Sequence, residues 1–131
     1  MIDNKFCTFC NLYVETITHL LSTCHVVQAF YNDLLRIINE RCGHDLSFLS
    51  SIHFIFGYSA RDNLNLGLNK ILMYARYFIY MTKCQKSNFL RVENFLFYLK
   101  IQYKCENYLA CINNRLLNFE QTWDIWHRIF P

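Results

Sequence analysis

Cys7-Thr8-Phe9-Cys10, followed by His19 and Cys24, is the stretch from which the rest of the chain is read; its spacing is C-x2-C-x8-H-x4-C. A C-x-x-C pair can sit on a tight turn with both sulfurs aimed at one centre, and His19 and Cys24, about one helical turn apart, complete a set of four. Three thiolates and one imidazole are a structural ligand set for zinc, which takes tetrahedral sulfur and nitrogen donors. Four protein ligands leave no position for water, so such a metal holds structure and does no chemistry. The plain alternative is a scatter of buried or reactive cysteines. C-x-x-C alone would leave that open, but four ligands within eighteen residues favour a metal.

The same stretch carries a resemblance. Cys7-x2-Cys10-Asn11-x3-Glu15-Thr16-Ile17-x-His19-Leu20-Leu21-x2-Cys24-x2-Val27-x2-Phe30-Tyr31 resembles the zinc-knuckle (CCHC) region at the C-terminal end of LINE-type (non-LTR) retrotransposon reverse transcriptases. Those proteins read C-x2-C, then E-T-hydrophobic-x-H-L-hydrophobic-x-x-C, then an apolar residue and an aromatic pair; Tyr31 stands where Trp is common. Phe56-Gly57, the segment from Tyr77 to Cys84, and Trp123 extend the likeness more loosely. His25, beside Cys24, is the other candidate for the fourth ligand or a residue behind it; the resemblance puts the ligand at Cys24 and leaves His25 solvated or capping. The family's aromatic-Ala-Asp-Asp polymerase core is absent, and its endonuclease carboxylates cannot be placed. The resemblance therefore implies a non-catalytic piece of a larger enzyme, one that helps to hold element RNA and target DNA in target-primed reverse transcription.

The totals fit a small helical domain. The 131 residues are enough for one domain, or one domain with a metal-bound appendage. They are 53% hydrophobic and 18% aromatic, which argues against disorder and for a substantial core. Three Gly and one Pro are too few for a turn-rich β-domain. Formal charge is +3, falling to about +2 with three bound thiolates and one Zn2+, so nucleic-acid binding is permitted and not demanded. Seven cysteines are an odd number, and the N-terminus lacks the apolar core of a signal peptide. A reducing intracellular setting, nucleus or cytoplasm, follows as the expectation, with Cys42, Cys84, Cys105 and Cys111 packing as small hydrophobes. The most apolar run, Ile71 to Met81, contains Arg76 and is too short to span a bilayer.

Periodicity assigns the rest. Residues 1–24 read as the knuckle, with a short helix from Glu15 to Ser22 whose apolar face is Val14, Ile17, Leu20 and Leu21. Residues 25–131 read as a helical bundle forming one compact unit with it. A helix from His25 to about Arg41 buries Val26, Val27, Phe30, Leu34, Ile37 and Ile38, and Gly43 caps it. Residues 43–60 read as loop or a short helical turn. Asp62 or Asn63 caps a long helix to about Lys86, with Leu64, Leu68, Ile71, Leu72, Ala75, Phe78, Ile79 and Thr82 along one side. A further helix, about Phe89 to Asn118, buries Val92, Phe95, Leu96, Leu99 and Tyr103, then Leu109, Ile112 and Leu116; Asn113-Asn114 is a point where it could shorten. Glu120 to Ile129 reads as a terminal amphipathic helix with Trp123 and Trp126. The fold class expected is mainly α: a small zinc-knuckle-like N-terminus packed on a bundle of about four helices.

No phosphate loop, H-E-x-x-H or G-x-S-x-G is present, so no enzyme is expected. His44, His53 and His127 have no telling partners. Arg76, Tyr80 and Lys83 fall at i, i+4 and i+7, with Lys86 beyond, and Lys100 and Lys104 lie one turn apart on the next helix. The cations are candidate phosphate contacts, and Tyr80 could stack on an unpaired base; the plainer reading is a solvated helix face. The function expected is a Zn2+-binding, nucleic-acid-binding module with RNA or DNA as partner and the polymerase part of a larger protein as neighbour. A zinc-stabilised protein-interaction module, docking through exposed aromatics such as Trp123 and Trp126, is the alternative.

Overall fold

The computed structural model describes residues 6–42, 63–85, 90–124 and 129–130. It is mainly α, as expected. One wide helical turn, His19–Thr23, lies within the knuckle. Among the described residues, four α-helices come after it: α1 (His25–Cys42), α2 (Asn63–Cys84), α3 (Val92–Ile112) and α4 (Leu116–Thr122). Among the described residues the only β-pairing is an isolated antiparallel bridge between Phe6 and Val14, which closes the base of the knuckle turn.

The core forms where apolar stripes of three helices meet. From α1 it takes Val27, Phe30, Tyr31, Leu34 and Ile38, and from α2 Leu68, Ile71, Leu72, Ala75 and Ile79. Val92, Phe95 and Leu99 come from α3. At the junction Phe30 stacks on Phe78 with ring centroids 6.1 Å apart, and meets Phe95 edge-on at 5.6 Å. Phe78 and Phe95 close the triangle at 5.5 Å. Each helix thus contributes one ring to a shared contact, worth about 0.5–1.5 kcal/mol per pair beyond burial.

A second aromatic cluster fastens α4. Trp123 lies 6.2 Å from Tyr74 of α2 and 5.5 Å from Tyr103 of α3, with Phe119 5.1 Å from Tyr103. Beside it, Glu106 pairs with Lys70 at 2.8 Å and accepts the Tyr74 hydroxyl at 2.6 Å, tying α3 to α2. Arg41 donates to the carbonyl of Ile129, joining the end of α1 to the end of the chain.

Several expectations are corrected. The helix expected from Phe89 to Asn118 ends at Ile112, because Asn114 adopts a left-handed backbone (φ 55) that Asn tolerates better than most residues. The Asn113 N–H still reaches the Leu109 carbonyl, and the Arg115 N–H folds back to that of Ala110 at 2.9 Å. This reversal starts α4, so a helix occupies 116–122 where a terminal helix from Glu120 was expected. It also leaves Leu109, Ile112 and Leu116 exposed, not buried. Trp123, an exposed docking residue under the interaction-module alternative, is 2% exposed; Trp126 lies outside the described residues. Val14 and Ile17 are exposed, so of the knuckle's expected apolar face only Leu20 is fully buried, with Leu21 packed against the core. Cys84, Cys105 and Cys111 are exposed and do not pack as small hydrophobes. The side chains of Cys42 and Leu64, the segment 43–62, His127 and Lys86 lie outside what is described. No described helix is long and apolar enough to cross a membrane.

Candidate metal centre and the groove beside it

The knuckle is built by local hydrogen bonds that converge on its sulfurs. The Cys7 N–H donates to the Tyr13 carbonyl at 2.8 Å, and the Asn11 N–H to the Cys7 carbonyl at 2.9 Å. Asn11, with φ 55, supplies the left-handed residue that reverses the chain after Cys10. The Thr16 hydroxyl then accepts the His19 N–H at 3.0 Å, the local side-chain cap that starts the following turn. That turn is wider than an α-helix: the Cys24 N–H reaches the His19 carbonyl, five residues back, at 2.8 Å.

These constraints bring Cys7, Cys10, His19 and Cys24 together, with one candidate ligand atom from each lying within 4.8 Å of the others. The Cys7 and Cys24 sulfurs are 3.7 Å apart, and Cys10 Sγ is 3.3 Å from His19 Nε2. A tetrahedral site with metal–sulfur bonds of about 2.3 Å and metal–nitrogen bonds of about 2.0 Å has edges of roughly 3.8 Å and 3.5 Å. The donor set and these two edges therefore fit a four-coordinate ion. The cage is shielded, with Cys7, His19 and Cys24 all buried. His25 is exposed at the start of α1 and takes no part.

The surroundings prepare the ligands. His19 Nδ1 lies 3.2 Å from Thr23 Oγ1; if Nδ1 carries the proton and donates to that hydroxyl, Nε2 is left with its lone pair toward the sulfurs. Burial pushes the Cys10 thiol up, but the backbone of Leu12, the His19 ring, the backbone of Tyr13 and the Cys7 thiol outweigh it and bring Cys10 down to about 6. Burial drives the Cys24 thiol up to about 11 against the pull of the Val27 and Val26 backbone, and Cys7 adds to the rise. Because the ion takes thiolates and not thiols, loading this cage must release protons.

A polar staple missed in the sequence fixes the knuckle to the bundle. Glu15 Oε1 accepts from both the N–H and the hydroxyl of Thr8, at 3.2 Å each, within the Cys7–Cys10 turn. Its Oε2 pairs with Lys83 of α2 at 2.7 Å. Burial pushes the Glu15 carboxyl up, but Lys83 and the Thr8 donors overcome this and hold it below its ordinary value of 4.5. Glu15 and Thr16 stand out in the sequence only as part of the knuckle pattern; nothing in their spacing pointed to a partner on α2.

Above this staple a groove of about 550 Å³ opens between the knuckle and α2. Thr16, Ile17, Leu20 and Leu21 form one wall, and Arg76, Tyr77, Tyr80 and Lys83 the other. Three of the residues singled out in the sequence, Arg76, Tyr80 and Lys83, therefore line one surface; Tyr77 was overlooked as a fourth. Lys83 Nζ also sits 5.9 Å from the Tyr80 ring. Lys100 and Lys104 are exposed on α3 and do not line the groove; Lys100 lies 5.9 Å from the Phe130 ring. Comparisons with family models, with curated proteins and with solved structures find no match to this chain.

Proposed function

We propose that this chain is a non-catalytic zinc module that binds nucleic acid, of the kind found at the C-terminal end of LINE-type reverse transcriptases, where it would help to hold element RNA and target DNA. The carrying observation is the adjacency of the four-ligand cage to a groove whose far wall presents Arg76, Tyr80 and Lys83. Zinc is the ion of choice because three thiolates and one imidazole in a closed tetrahedron suit it, and the absence of an open coordination position favours a structural role over a metalloenzyme. Arg76 and Lys83, with Lys100 and Lys104, are the described candidate phosphate contacts; Lys86 belongs with them by sequence. Lys83 reaches a phosphate only by sharing or giving up Glu15. With a formal charge of only +3, binding relies on this local patch and not on a uniform field. An intracellular setting, nucleus or cytoplasm, suits both the partners and the thiols.

The test is elemental analysis of the purified chain together with salt-titrated binding to single-stranded RNA, structured RNA and duplex DNA. One zinc per chain is expected, with affinity falling steeply as salt rises. Replacing Arg76 and Lys83 together with Ala should flatten the single-strand salt slope by about 1.4, or 0.7 per contact. A chain that takes up no zinc, or binds no nucleic acid at low salt, overturns the corresponding half of the proposal.

A second reading, a protein-interaction module, is favoured by α3. Opposite its buried Val92, Phe95 and Leu99, this helix exposes Phe97, Ile101, Tyr108 and Ile112 along one face. Docking there would be nearly insensitive to salt, which separates it from phosphate-driven binding.

A further inference from the structure

We infer that the groove between the knuckle and α2 receives one unpaired base, so that the module selects single-stranded nucleic acid over duplex; this rests on the nucleic-acid reading above. Ile17, on the knuckle wall, is 74% exposed. Facing it across the groove, Tyr77 and Tyr80 sit one turn apart on the same side of α2, both more than half exposed. The lower part of the groove is closed by Leu20, which is buried. An apolar slot with aromatic rings on one side matches the flat faces of a base, and its volume lies within the roughly 300–1,000 Å³ of small-molecule sites.

The charges at the rim select what accompanies that base. Arg76 and Lys83 line the same wall as the tyrosines, where a backbone phosphate would follow an inserted base. Among the described lining residues the one anion, Glu15, is occupied by Lys83 and by two donors of Thr8, so its repulsion is offset. Tyr77 is braced from behind by Tyr98, with ring centroids 6.5 Å apart, so it is a firm platform. A duplex hides the faces of its bases by stacking and can offer this slot only its phosphates. Because one wall is the knuckle itself, the slot exists only while the knuckle is held in place.

The experiment uses the full, zinc-loaded chain, a mixed-sequence single-stranded RNA carrying 2-aminopurine, and the same strand in duplex. The parent should bind the single strand more tightly and change the 2-aminopurine fluorescence on binding. Tyr80→Leu, and separately Ile17→Asp from the opposite wall, should lose about ten-fold or more in single-strand affinity, abolish the fluorescence change, and leave zinc content and helical circular dichroism as in the parent. Tyr80→Leu should hardly alter duplex affinity. If both variants keep the parent's preference for the single strand, the groove is not the base site, although the phosphate reading survives. If the parent binds neither strand, the underlying reading fails as well. A groove that takes an acidic, aromatic peptide in place of any oligonucleotide overturns both.

Discussion

The knuckle and the helical bundle are held by different physics. In residues 6–24 the large apolar side chains Phe6, Leu12, Tyr13, Val14 and Ile17 are all exposed. What is buried there is Cys7, His19, Leu20, Ser22 and Cys24, so three of the five buried residues are candidate metal ligands. The bundle buries rings and aliphatic chains from three helices and has no comparable cluster of ligands among its described residues. One region replaces a hydrophobic core with a cage; the other needs no cage. They should therefore fail independently, apart from the seam where Cys7, Leu20 and Cys24 join the core of the bundle and Glu15 pairs with α2.

The largest effect expected is from removing the metal. Structural zinc sites contribute on the order of 10–16 kcal/mol at neutral pH, and the knuckle has little else to hold it. Cys10→Ser, or chelation of the parent, should abolish zinc binding and order in the first two dozen residues while most helical circular dichroism persists. Loss of nearly all helix would show instead that the cage nucleates the bundle and that the two regions are one.

Next in size is Phe95→Ala, which opens the three-ring junction of α1, α2 and α3. A fully buried Phe costs about 3–5 kcal/mol when truncated. The denaturation midpoint of the bundle should fall accordingly. Zinc content should stay at one per chain wherever the variant remains folded; stoichiometric zinc loss from a folded variant would mean that the knuckle depends on the core.

Smaller effects probe the supports of the cage. Thr23→Ala removes the partner of His19 Nδ1 and should weaken zinc affinity by about ten-fold, measured by competition with a chelator. An unchanged affinity would mean that the imidazole is oriented by the turn alone.

The smallest effect tests the seam. The Glu15 carboxyl is held below its ordinary value in the folded chain, so its pair with Lys83 stabilises fully above about pH 4.5. That contribution fades as pH falls through the lowered value. Glu15→Gln should remove about 0.5–1 kcal/mol at neutral pH. Below the folded carboxyl's titration, variant and parent should converge. Measured on the zinc-loaded chain with zinc content followed at each pH, the difference between variant and parent cancels the protonation of the thiols that both share.

Much of this division was legible in the sequence, for a physical reason. Cys7, Cys10, His19 and Cys24 are dense in donors and poor in alternative uses, and α1 and α2 carry apolar residues at regular helical spacing on one side. The third helix resisted reading because it is apolar on both sides. Leu109, Ile112 and Leu116 continue the pattern, yet a left-handed Asn114 turns the chain before they can be buried. That Asn113-Asn114 breaks the helix is decided by Phe119 and Trp123, whose docking on Tyr74 and Tyr103 lies far away in sequence. The pairing of Glu15 with Lys83 was hidden likewise, since a lone carboxylate in a turn shows nothing of a helix nearly seventy residues on.

The wide turn between His19 and Cys24 acts as a molecular ruler. Its five-residue hydrogen bond fixes how far the chain winds between the two ligands. An α-helical turn over the same span would close one residue earlier and swing the last sulfur around the axis by roughly 100°. A deletion of one residue there would not merely shorten a loop. With the turn held at its present width, it would point Cys24 away from its three partners while leaving every ligand present, so the interval between them is as much a part of the site as the side chains themselves.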